Sequence, residues 1–181
     1  MKQACTLITH VNPLLIVVLT ITLSMGTSVF AADTAPCAAN ADSRQLDYWL
    51  GDWSISGPGS TGMATSTVTA SLDKCVVVEQ WSDGKGHNGE NIFGYSPNDK
   101  GWRGFFADNR GHVHAFVDGK VSSGTAEFTG PSRGPNGESV LNRIRIVRLS
   151  PDKAEQTWDK STDNGATWIP QFRLEYTRKS S

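Results

Sequence analysis

No charge of either sign dominates this chain. Its 17 Lys and Arg stand against 18 Asp and Glu, a formal net charge of −1 over 181 residues. The balance excludes a strongly basic nucleic-acid binder and an acidic tail, and the basic residues are scattered with no stripe for a polyanion. Catalytic signatures are missing as well. There is no Gly-rich phosphate loop between strand and helix, no Gly-x-Ser-x-Gly elbow, no His-Glu-x-x-His and no Cys-x-x-Cys. Ser, His and Asp residues occur, but nothing positions them as a triad. No segment holds an apolar 3.6 period over three turns. Eighteen Gly without a Gly-x-y period exclude collagen, and six Trp argue against disorder. The length suits one domain with a short appendage.

The appendage comes first. Lys2 is the only charge in residues 1–31, and an apolar run from Pro13 to Phe30 ends at Ala31-Ala32. A positive start, an apolar stretch and small residues at its end describe a secretory signal peptide. Cleavage after Ala31 places Val29 at −3; cleavage after Ala32 places Phe30 there, a poorer fit. The alternative is a retained anchor, since about 18 apolar residues is the lower edge of a spanning helix. Cys5 leaves with the peptide, and no lipoprotein-type site precedes Cys37. The expectation is a periplasmic or secreted protein with no stable membrane insertion after cleavage. Two cysteines then remain, Cys37 and Cys75, and in an exported chain an even pair reads as a disulfide. It ties a lead-in, 32–44, to a domain spanning 45–181. Two free buried thiols are the alternative.

From Tyr48 onward, clusters of Gly, Pro, Asn and Asp recur between short segments rich in Val, Ile, Thr, Phe and Trp. Each cluster is turn chemistry, a positive φ at Gly or Asn or a preset φ at Pro. Ten strands are expected, over 49–56, 62–72, 75–82, 89–96, 101–108, 111–118, 121–129, 138–149, 153–161 and 167–178. Short turns join sequential antiparallel neighbours, and closing such a meander removes its edges. The predicted fold class is all-β, an antiparallel up-and-down barrel, with a sandwich as alternative. A short helix around 42–48 is capped by Asp42 or Ser43. In a barrel, apolar side chains alternate inward. This sends Val113, Ala115 and Val117 inward and His112 and His114 outward. In the last strand it puts Trp168, Phe172, Leu174 and Tyr176 on one face.

Several residues stand out chemically. Gly51-Asp52-Trp53 opens the first strand as a Gly-x-Trp, similar to the lipocalin signature in which Trp meets a basic residue of the last strand. Arg178 is its candidate partner. Ser161-Thr162-Asp163-Asn164-Gly165-Ala166-Thr167-Trp168 resembles one sialidase-type Asp-box, read as a structural turn because a propeller needs several copies. Glu79 lies in Cys75-Val76-Val77-Val78-Glu79-Gln80-Trp81. If it points inward it needs a cation or several donors, or its pKa rises. Arg143 and Arg145 are candidate partners, although their alternation with Ile144 and Ile146 sends both outward. The alternative is an exposed or structurally paired Glu79. His112-x-His114 is two imidazoles on one strand face, too few for a structural zinc site, so no metal is expected. No His follows His114, which disfavours haem, and no cofactor is expected.

Taken together, these elements resemble the DUF1579-type family of secreted, calycin-like bacterial proteins. Leu46-Asp47-Tyr48-Trp49-Leu50-Gly51-Asp52-Trp53 is similar to the family's opening. The Cys75–Trp81 segment resembles its Cys-x-x-x-Glu-x-Trp strand, preceded by Cys37. Gly89–Tyr95 resembles a further strand, with Asn91 offset and Ser96 in place of Asp. Trp102 and Asp108 match a Trp…Asp-x-x-Gly element. Arg143, Gln156, Ser161, Asp163, Gly165, Trp168 and Tyr176 match the ending, with Asn164 for one Gly and Asp159 for Glu. The resemblance implies a calycin-like barrel with a polar-rimmed cavity and no established activity. Its mouth or cavity is the default ligand site. Trp81, Trp102, Trp168 and Tyr176 are the expected apolar walls. Glu79, Asn91, Asp108, Arg143 and Gln156 are the expected orienting polar groups.

Three readings follow. The first is a binding protein for a small amphipathic or hydrophobic molecule. The second is an enzyme with Glu79 or Asp108 as acid/base, which is less favoured. The third is a filled barrel acting as a structural or interaction module. A cavity above about 300 Å³ favours binding and a dense core the structural role.

Overall fold

The protein is described from a computed structural model covering residues 36–58 and 64–180. The signal-like segment, Cys5 and the two cleavage positions lie outside the described residues. Ten strands follow one another: β1 (Gly51–Ser56), β2 (Ala64–Ser71), β3 (Val76–Ser82), β4 (Asn88–Ser96), β5 (Gly101–Asp108), β6 (Val113–Ser122), β7 (Thr125–Arg133), β8 (Ser139–Ser150), β9 (Lys153–Ser161) and β10 (Ile169–Arg178). Each pairs antiparallel with the next, and β10 returns to pair with β1, so one sheet closes into a barrel. This is the expected up-and-down arrangement and not a sandwich. The expected bounds shift by a few residues, most in β7, which is displaced to Thr125–Arg133 because β6 runs on to Ser122.

An up-and-down chain alternates between two ends. One end collects the lead-in from Pro36, the connections β2–β3, β4–β5, β6–β7 and β8–β9, and the end of β10. It is closed by a short helix, α1 (Pro36–Ala39), and two 3₁₀ turns, Asp42–Arg44 and Asp47–Trp49. Neither Asp42 nor Ser43 caps them as expected: Asp42 sits inside the first turn and accepts hydrogen bonds from Gln45 Nε2 (3.2 Å) and the Tyr95 hydroxyl (3.1 Å). Leu46 and Trp49 drop into the barrel and are fully buried. Cys37 and Cys75 form the disulfide that ties this lead-in to the β2–β3 turn. Arg178 finishes the closure. Its guanidinium lies 4.1 Å over the Trp53 ring and donates to the carbonyls of Leu50 (2.6 Å) and Tyr48 (3.2 Å). Gly51, at φ 131°, leaves room for it, because a β-carbon there would collide with the guanidinium.

Side-chain parity sets what the interior contains. In β8, Val140, Asn142, Ile144 and Ile146 are buried, while Leu141, Arg143 and Arg145 point outward. Two segments depart from the expected parity. In β6, Val113 and Val117 are more than half exposed, whereas Phe116 is buried inward and His114 shares its face. The register of β5 and β6 shifts between Trp102 and Gly104, and the buried series of β6 changes phase between Phe116 and Gly119. The bulge lets the large aromatic take the inner position, and the two valines face solvent. In β10, a bulge between Pro170 and Phe172 breaks the alternation, so Trp168 does not share the inner face of Tyr176.

Candidate functional site

The other end of the barrel is open. A cavity of about 460 Å³ runs in from the β1–β2, β3–β4, β5–β6 and β9–β10 connections. Its floor is set by β3, β4, β9 and β10. Glu79 of β3 is fully buried beneath it with no cationic partner among the described residues. Ser66 Oγ donates to its Oε1 (2.8 Å) and Asn91 Nδ2 to its Oε2 (2.8 Å). Gln156 Nε2 lies 3.5 Å from Oε2 and the Tyr176 hydroxyl 2.9 Å from Oε1. Burial pushes the Glu79 pKa above the ordinary carboxyl value, against the pull of these four hydrogen bonds.

The Tyr176 hydroxyl has one proton but two acceptors in reach, Glu79 Oε1 and Gln156 Oε1 at 3.2 Å. Burial and the neighbouring Glu79 raise the Tyr176 pKa well above its ordinary value, so the phenol keeps its proton. The hydroxyl donates to Glu79 Oε1, with Gln156 Oε1 as its second acceptor within reach. Among the floor residues, one atom is then left over. Asn91 is almost fully buried, its Nδ2 is committed to Glu79, and its Oδ1 has no hydrogen-bond partner.

Aromatic rings form the walls. Trp81 lies parallel to Phe106 within 5°, centroids 6.3 Å apart. Gly89, opposite Trp81 in the β3–β4 ladder, leaves room for the indole, since a β-carbon would come within 2.9 Å of it. Trp158 stands edge-on to Phe106 at 5.3 Å and to His114 at 4.9 Å. Burial lowers the His114 pKa, with nearby Lys160 and His112 adding to the effect and Asp108 opposing it. The His114 Nδ1 is buried without a hydrogen-bond partner among the described residues.

At the rim, Asp108 closes β5. Its Oδ1 accepts the backbone N–H groups of Arg110 (3.0 Å) and His112 (2.9 Å). Its Oδ2 meets His87 Nε2 at 2.9 Å and His112 Nδ1 at 2.7 Å. Burial alone would raise this carboxylate's pKa, but the two imidazoles and two N–H groups outweigh it and hold the group well below its usual range. Asp83 organises the β3–β4 turn in the same way, accepting from the N–H of Lys85 (2.7 Å) and of His87 (3.0 Å). These two acidic groups of the rim are thus occupied by turn N–H groups and imidazoles.

Of the nine residues expected to bind a ligand, the structure gathers six. Asn91, Gln156 and Tyr176 line the floor with Glu79 buried beneath them, Trp81 forms a wall and Asp108 the rim. Trp102 does not join them. It is buried at the closed end and donates to Gln45 Oε1 at 3.1 Å. Arg143 and Trp168 lie outside the barrel, where the guanidinium sits 4.1 Å over the indole and pairs with Asp159 at 2.7 Å. Neither Arg143 nor Arg145 is the partner of Glu79; Arg145 pairs with Glu127 at 3.3 Å. The Asp-box is a turn, in which Asp163 accepts from the Thr167 hydroxyl, the Thr167 N–H (2.8 Å) and the Ser161 hydroxyl (2.7 Å), and these bonds lower its pKa to about 2. His112 and His114, expected on a solvated surface, belong to the pocket. His87, Phe106, Trp158 and Lys160 join it without having been singled out. Strand parity was the available signal: Trp158 and Lys160 follow Gln156 by two and four residues.

Among the described residues no group of His, Cys, Asp and Glu is arranged to hold a metal ion, and no helix is long and apolar enough to cross a membrane. Compared with models of known protein families, the chain matches none, and no curated protein matches it.

Proposed function

We propose that this is an exported binding protein that takes a small amphipathic molecule into the open end of its barrel. The observation that carries the reading is the cavity of about 460 Å³, inside the range of roughly 300–1,000 Å³ common for small-molecule sites, with aromatic walls and a few convergent polar groups. Export rests on the signal-like sequence of residues 1–31 and is supported by the Cys37–Cys75 disulfide. The resemblance to the secreted DUF1579-type proteins is part of the same proposal.

The arrangement favours holding a molecule over transforming it. Both Glu79 oxygens are covered by protein donors, so no oxygen is left to meet a reacting atom. Asp108 is ionised and saturated by four donors. The filled-barrel reading fits one half of the molecule only, the end closed by Trp49 and Leu46. Titration with the fluorescent probe anilinonaphthalene sulfonate, and with a panel of fatty and aromatic acids, tests the proposal. Saturable binding that Trp158→Ala or Phe106→Ala weakens is the expected result. No binding by any member of the panel would sink it.

A further inference from the structure

The polar groups of the pocket are not symmetric along its length, and they dictate which way a ligand lies. At the floor the surplus group is an acceptor. Asn91 Oδ1 is buried, pocket-lining and unpartnered, and the bond from its Nδ2 to Glu79 fixes which way the amide points. A buried acceptor without a donor is costly, and a ligand donor recovers that loss. At the rim the surplus is cationic. Lys85 and Lys160 line the mouth and form no ion pair among the described residues, while the acidic groups beside them are already bonded to turns and imidazoles. Between floor and rim the walls are the flat rings of Trp81, Phe106 and Trp158.

Strand geometry sets the distance. Gln156 at the floor, Trp158 in the wall and Lys160 at the rim are alternate residues of β9. Four residues cover about 13 Å of strand, and a barrel tilt near 40° leaves about 10 Å of depth. A single ring carrying a short acid side chain fills that depth.

Building on the binding reading above, we infer that the pocket takes a hydroxylated aromatic carboxylic acid, hydroxyl down against Asn91 Oδ1 and carboxylate up between Lys85 and Lys160. The ring stacks on Trp81 and Phe106. The hydroxyl supplies the donor that the floor lacks, and the carboxylate supplies the anion that the rim lacks.

Calorimetric titration of the folded protein with three probes tests this. They are para-hydroxycinnamate, cinnamate without the hydroxyl, and the methyl ester of para-hydroxycinnamate without the charge. The expected result is tightest binding of para-hydroxycinnamate, at least tenfold weaker binding of cinnamate and at least fivefold weaker binding of the ester. Asn91→Leu should erase the preference over cinnamate, and Lys160→Gln should narrow the gap to the ester. The wild-type comparison stands by itself if Asn91→Leu fails to fold. Equal binding of all three probes overturns the inference while leaving the pocket a binding site. So does saturable binding of anilinonaphthalene sulfonate with none of the three acids bound. Failure of that probe and of the acids alike overturns the binding reading too.

Discussion

The two ends of this barrel are made from the same strands but are opposite in character. The closed end is a dry aromatic core: Trp49 meets Phe93 at 6.0 Å and Tyr176 at 6.2 Å, and Trp53 meets Tyr176 edge-on at 6.3 Å. The open end has as many rings but leaves a cavity among them and lines it with carboxyl, amide and imidazole groups. Tyr176 belongs to both, its ring in the core and its hydroxyl on Glu79. The difference shows a division of labour. Stability is concentrated where the lead-in plugs the barrel, and this frees the other half to remain underfilled.

Mutations should separate the ends. Trp49→Ala opens an enclosed void in the plug and should cost about 3–5 kcal/mol in urea unfolding. Trp81→Ala only enlarges a cavity that already exists and should cost about half as much or less. Equal losses would break the comparison. Replacing Cys37 and Cys75 by Ser releases a loop of 38 residues and should cost about 2–4 kcal/mol, read as a lower urea midpoint with unchanged probe binding.

The two pocket carboxyls should respond to pH with opposite sign. The Glu79 pKa is raised in the folded state, so its contribution is fully present below the unfolded value near 4.3 and is lost as pH rises through the folded value. Glu79→Gln copies the neutral form, and its stability should match the wild type in acid and exceed it increasingly as pH rises through the folded value. The Asp108 pKa is lowered, so its contribution is present above about 3.9 and is lost as pH falls through the folded value. Asp108→Asn should therefore be most damaging at neutral pH, with the gap closing in acid. Parallel pH profiles for the two variants would contradict the opposite shifts of the two carboxyls. The smallest effect belongs to Trp168→Ala, outside the barrel: about 1 kcal/mol or less in stability, through the lost Arg143 contact, and no change in probe binding.

Much of the fold was legible because turn chemistry is local. Gly, Asn, Asp and Pro clusters marked the strand ends, and ten short strands with short turns leave few topologies. The Trp53–Arg178 clamp was legible from a Gly-x-Trp at one end of the chain and a basic residue at the other. Glu79 was legible because a lone carboxyl in an apolar strand must be either exposed or compensated. His114 was misread for a physical reason. Hydrophobic alternation identifies the inner face only where the interior is apolar, and at the open end the interior is a polar pocket, so the valines of β6 face outward. Trp102 was misplaced for want of a sense of end. In an up-and-down barrel that enters at its closed end, the start of every odd strand returns there, and Trp102 is the second residue of β5. Arg143 and Trp168 entered through a family-like pattern, which marks residues that hold the structure as readily as residues that touch a ligand.

The seam between β1 and β10 also governs how the chain reaches its final form. The hairpins from β2 to β9 join near neighbours and can assemble as soon as they exist. Arg178, by contrast, must find carbonyls as distant as that of Leu50, 128 residues earlier. Until it does, β1 and β10 present bare edges to any passing strand. Closure of so non-local a contact is slow compared with a hairpin, so the last ten or so residues set the interval of exposure. A chain cut short before β10 should therefore associate with other copies of itself instead of settling into a smaller barrel.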